Sequence, residues 1–263
     1  ISSFIRVIFA IAPAVAPLLG AGIILISNWQ SIFGLFILFA LISTVWTGVR
    51  VNEPLKVEMR IPFRLQPFKI AIIEIMSLKI VRLSIVTLIF GGGILFIAIL
   101  LVQQVFDQFY GSASSFPLWF AMIAVLSASA SFLNSMIVMK FGMRRIVSIS
   151  MYAQVISSIA MLCLYNGNLL SGNFGFVIFV FWVFGIFFQA GLTFGNLTAL
   201  AMEPLGHIAG TGASVTSALS TLGSVAIAGF AGQFFNGTPS AMIISIIIFA
   251  TCGAFSAHFL IRC

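Results

Sequence analysis

Charge is nearly absent from this chain. Twelve Lys and Arg with five Asp and Glu amount to 6% of 263 residues, where soluble domains carry roughly 25%. Together with a 61% hydrophobic share and 29 Phe, this excludes a soluble globular domain. Cysteine is scarce too. Cys163, Cys252 and Cys263 show no Cys-x-x-Cys or Cys/His spacing, and two of them sit in apolar runs, so neither a disulfide framework nor a metal site is expected. Missing as well are a His/Glu metal motif, Gly-x-Ser-x-Gly and a Walker-type Gly-x-x-x-x-Gly-Lys. No enzyme activity, cofactor or ATP drive is expected.

What the chain has instead is a series of apolar runs. Ile5–Ile26, Ser31–Val49, Leu83–Val102, Pro117–Met139, Ile146–Tyr165, Phe174–Gly195, Ala213–Phe235 and Ser240–Ile261 each approach the roughly 20 residues that carry a helix across a bilayer. This threading predicts an all-α polytopic membrane protein with eight transmembrane helices and both ends on one side. It places Arg6, Arg50, Lys56, Arg60, Arg64, Lys69, Lys79, Arg82, Lys140, Arg144, Arg145 and Arg262 together, and leaves Asp107 alone opposite. The positive-inside bias makes the basic side cytoplasmic. The net charge of +7 is thereby assigned to topology and the anionic inner leaflet, with no nucleic-acid partner.

One long polar interruption, Arg50–Arg82, divides the chain into two spans and six. That pattern fits the C-terminal half of a 12-span transporter made of two six-helix halves. The expected organisation is therefore residues 1–49 as the last two helices of an N-terminal half, 50–82 as a cytoplasmic inter-half loop, and 83–263 as the C-terminal half. Since the chain starts at Ile1 and not at Met, four further spans upstream are expected. Pro54, Pro62 and Pro67 oppose a continuous helix in the loop up to that point. Phe68–Arg82 reads as an interfacial helix, or equally as a downward extension of the next span.

Three stretches carry a resemblance. Pro13-Ala14-Val15-Ala16-Pro17-Leu18-Leu19-Gly20-Ala21-Gly22 resembles the proline-glycine antiporter motif in the fifth helix of major facilitator superfamily drug exporters, with Pro13, Pro17 and Gly20 as its members here and Ala16 in place of the motif's Gly. Lys140-Phe141-Gly142-Met143-Arg144-Arg145 resembles the second copy of that superfamily's cytoplasmic loop signature, lacking its acidic member. Phe194–Ser214, with Pro204-Leu205-Gly206 and Ala209-Gly210-Thr211-Gly212, resembles the connection between the tenth and eleventh helices in the Bcr/CflA drug-resistance subfamily, Gly212 standing for its usual Ala. The resemblance implies helices five to twelve of the major facilitator fold, in a bacterial inner membrane and as a monomer. It also implies efflux of small, often amphipathic drugs in exchange for protons.

Polar side chains inside apolar spans mark candidate transport sites. Gln189, Thr193 and Asn196 in the sixth span, with Ser217 and Ser220 in the seventh, form the expected substrate cavity. The alternative for each hydroxyl is a bond to its own helix or to a neighbour. Ser217, Ser220, Thr221 and Ser224 share one stripe by their spacing, and Gly91-Gly92-Gly93 reads as a flexible point. None of the acidic residues or the two His falls mid-span, so the proton carrier is expected upstream. Glu203 with His207 reads as a gate latch, or as a solvated turn. Two other functions stay open: a nontransporting scaffold or degenerate fragment, and an importer of the same fold.

Overall fold

A computed structural model describes residues 19–51 and 65–262 of the chain. Residues 19–26 are helical. They are followed by α1 (Gln30–Arg50), α2 (Leu65–Ser77), α3 (Lys79–Gln108), α4 (Phe116–Ser127), α5 (Ser129–Phe141), α6 (Met143–Asn166), α7 (Gly172–Met202), α8 (Ala209–Gly232) and α9 (Ser240–Ile261), with no strand among the described residues. The chain is an all-α polytopic membrane protein. Among the described residues, six stretches are long and apolar enough to cross a membrane, the longest being Gly172–Gly232 with 61 residues. At 1.5 Å per residue that stretch would run about 90 Å, roughly three hydrocarbon cores, so it holds two crossings. They divide at the 3-10 turn Glu203–Ile208, where Leu205 leaves helical geometry (φ −104°, ψ 18°). The expected span Ile5–Ile26 lies largely outside the described residues.

Helix ends depart from the expected spans where charge and side-chain competition intervene. Leu83–Val102 is the middle of α3, which runs from Lys79 to Gln108, because Lys79 and Arg82 can sit in a helix once their charges lie beyond the hydrocarbon. Pro67 lies in the first turn of α2, where its missing N–H has no intrahelical role, so the helix begins at Leu65, three residues before the expected Phe68. α2 is a separate element and not an extension of α3, since Leu78 between them is extended (φ −78°, ψ 118°). The expected span Pro117–Met139 is divided at Ala128 into α4 and α5, although Ala128 keeps helical dihedrals (φ −60°, ψ −26°). Ser127 Oγ donates to Ile123 O at 2.7 Å and Ser129 Oγ to Leu126 O at 2.5 Å, and such back-bonding loosens the helical ladder.

The bundle is built around α3, against which α7, α8 and α9 pack; α6 fills the space between α9 and α7, while α4 and α5 lie on α7. The three glycines of α3 are a close crossing, not a flexible point: all are buried in an unbroken helix. A Cβ on Gly92 would strike Ser224, one on Gly93 would meet Ile227 at 2.8 Å, and one on Gly91 would meet Met151 at 2.9 Å. Farther along, Phe106 meets Phe116 at 5.5 Å and Phe176 at 5.1 Å between ring centroids, an aromatic cluster that joins α3, α4 and α7. Beside it the Tyr110 hydroxyl donates to Gly175 O at 3.3 Å, and burial raises its pKa, keeping the proton on. By contrast α1 buries none of its residues.

Candidate functional site

The inward face of α7 carries polar side chains at helical spacing: Trp182, Gln189, Thr193 and Asn196, all buried. Trp182 and Asn196 are held by neighbouring helices, and Gln189 and Thr193 by each other. Trp182 Nε1 donates to Ser158 Oγ of α6 at 3.3 Å, and Gln154 Nε2 of the same helix donates to that oxygen at 3.0 Å. Gln189 Nε2 donates to Thr193 Oγ1 at 3.3 Å and faces Met151 Sδ of α6 at 3.5 Å. Asn196 and Asn134 of α5 exchange amide bonds of 2.7 and 3.3 Å, and Asn196 Nδ2 also donates to Leu192 O at 2.8 Å. On the other side of α3, Thr87 and Ser256 share a bond of 2.7 Å. Gln189 Oε1, Ser84 Oγ and Thr216 Oγ1 are buried without a partner among the described residues.

The structure does not bring the α8 hydroxyls into this group. Ser217 is exposed. Ser220 donates back to Thr216 O at 2.8 Å and Ser217 O at 3.1 Å. Ser224, on the same stripe, is buried and donates to Ile89 O of α3 at 3.0 Å. Thus Gln189, Thr193 and Asn196 lie inside the bundle, while Ser217 lies on its surface and Ser220 at the edge. Sequence reading missed Gln154, Ser158, Thr87 and Ser256. Gln154 was visible as an amide inside an apolar run, but its partners were not.

At the basic end, Lys140, Gly142, Arg144 and Arg145 form the reversal from α5 to α6. Gly142 has φ 77°, a left-handed value that favours glycine, and Lys140 Nζ lies 5.5 Å from the Phe141 ring centroid. Pro13 and Pro17 lie outside the described residues, and Gly20 lies in the helical stretch 19–26. His207 Nε2 contacts Glu74 Oε1 of α2 at 2.7 Å. Glu203 and His207 belong to one short 3-10 segment, whereas α2 packs across it. Among the described residues no carboxylate is buried: Asp107 and Glu203 are exposed and Glu74 is partly so. Two surface depressions, one of about 290 Å³ between Phe109 and Ser171 and one along α1, include none of the expected cavity residues.

A sequence model of the Major Facilitator Superfamily matches residues 1–228. The chain is similar to the "Bicyclomycin resistance protein homolog" of Haemophilus influenzae, at 30% identity over 60% of this chain and 40% of that protein. It is also similar to the "Uncharacterized MFS-type transporter YdgK" of Bacillus subtilis, at 24% identity over 84% of this chain and 54% of the relative. The chain thus spans about half the length of these curated relatives. No solved structure matches it.

Proposed function

The chain belongs to the Major Facilitator Superfamily, and from that membership we propose that it forms part of a proton-coupled exporter of small, drug-like or amphipathic molecules. The basic end is then cytoplasmic, and the membrane is a bacterial inner membrane. Residues 83–263 serve as the C-terminal six-helix half, 1–49 as the last two helices of the other half, and 50–82 as the loop between them. The two halves of a monomer rock around a site near mid-membrane. Similarity to a bicyclomycin resistance protein homolog supports export over import, as does the Pro13, Pro17 and Gly20 segment.

The observation that carries this reading is the buried polar run of α7, above all Gln189, which is 4% exposed and keeps one amide oxygen unpartnered. Unpaired polar groups in apolar helices are costly and mark functional positions. Gln189, Thr193 and Asn196 are our choice for the α7 side of the site, with Ser217 and Ser220 reached from the exposed face of α8. The test is ethidium efflux by the complete protein in cells stripped of other exporters. Wild-type protein lowers dye accumulation, and Gln189→Leu reduces the efflux rate about tenfold, the loss of one site hydrogen bond. Equal accumulation with and without the wild-type protein at normal membrane levels sinks the proposal.

A further inference from the structure

Between residues that the basic charge alone would leave as a loop, α2 is docked on the bundle. Ile75 is fully buried, in a cluster with Val81 and Ile85 of α3, Ala201 of α7, Leu205 of the 3-10 turn and Val215 of α8. Four elements therefore meet beneath α2, at the end where α3 and α8 both begin. Their parallel course follows from Gly223 meeting Ile89 and Gly232 meeting Leu100. The Glu74–His207 contact closes the same junction from outside, with side chains 43% and 59% exposed. A polar contact so exposed adds little stability, so burial of Ile75 seats the helix and the contact sets where it sits. The one non-helical residue joining α2 to α3 is Leu78.

We propose that α2 is a strap with two positions, docked across the N-terminal ends of α3 and α8 and released by rotation about Leu78, and that Glu74 and His207 are positioning residues that bias it to the docked state. A single extended residue supplies the hinge, since two backbone dihedrals are enough to swing a short helix. A small apolar seat with a weak polar clasp supplies the near balance that a two-position element needs. The strap rests on the transport reading only for its purpose, coupling the inter-half segment to the turn that starts α8.

The test is a distance measurement by double electron–electron resonance on the complete protein in liposomes. Cys163, Cys252 and Cys263 are replaced by Ser, and spin labels are attached at Lys69→Cys on α2 and Arg145→Cys on α6, both exposed positions. Two distance populations are expected. Glu74→Gln, equal in size to the native side chain, lowers the docked-to-released ratio about two- to fivefold, as expected for an exposed pair, and the exchange Glu74→His with His207→Glu recovers it. A single distance that Glu74→Gln leaves unchanged overturns the strap. A ratio lowered by Glu74→Gln but not recovered by the exchange overturns the role of the pair. Absence of ethidium efflux strikes the transport reading and leaves these distances to decide the strap.

Discussion

The side-chain amide of Gln189 is oriented by the chemistry around it. Thr193 Oγ1 already gives its proton to Gln189 O at 2.9 Å, so towards the side chain it accepts, and the Met151 thioether accepts only. The terminus facing both must be the NH2 group, which leaves Oε1 as the unpartnered acceptor. A buried acceptor without a donor costs about 1–3 kcal/mol. Gln189→Leu is therefore expected to stabilise the protein by about 1 kcal/mol while it impairs efflux. Thermal unfolding of purified protein checks the first half; a lower midpoint would mean that the oxygen is satisfied by something structural. At Gly142 the sign reverses. Its φ of 77° strains any Cβ, so Gly142→Ala is expected to lose about 1–2 kcal/mol, read in the same unfolding assay.

Helices of this chain meet where glycine removes the side chain, and the α3–α8 seam shows the consequence most directly. Gly92→Leu would drive a side chain into Ser224, whose hydroxyl is bonded to Ile89 O. Overpacking of this kind is expected to cost about 1–3 kcal/mol and to lower the yield of monodisperse protein, measured by size-exclusion chromatography in detergent. This seam was partly legible beforehand: three consecutive glycines in an apolar run stand out, but whether they loosen a helix or admit a neighbour depends on that neighbour. The all-α membrane class and the rough extent of the described spans were legible because run length and charge are one-dimensional signals. The inward face of each helix was not, since a span apolar on every side has no period that separates lipid from core. Hence Gln189, Thr193 and Asn196 stood out as residues, whereas Asn134, 62 positions away from Asn196, did not. Glu74 was likewise hidden from His207 by 133 positions.

At the scale of the molecule, the basic residues of the described bundle helices lie at helix ends: Lys79 and Arg82 where α3 begins, Lys140 where α5 ends, Arg144 and Arg145 where α6 begins and Arg262 just past α9. The interior of the described bundle carries only neutral polar groups. Proton coupling needs a group that can hold and release a proton where water is scarce, and a carboxylate in contact with solvent at a helix end does not alternate between two sides. Glu74, Asp107 and Glu203 are of that exposed or partly exposed kind. Each, changed singly to its amide, is expected to leave the number of protons moved per substrate unchanged, even where Glu74→Gln alters the rate through the strap. The measurement is substrate-driven alkalinisation or acidification in liposomes containing the complete protein and a trapped pH-sensitive dye, normalised to substrate flux. Loss of proton movement with flux retained in any one of the three would place the carrier at the membrane surface. Retention in all three directs the search to carboxylates beyond the described residues.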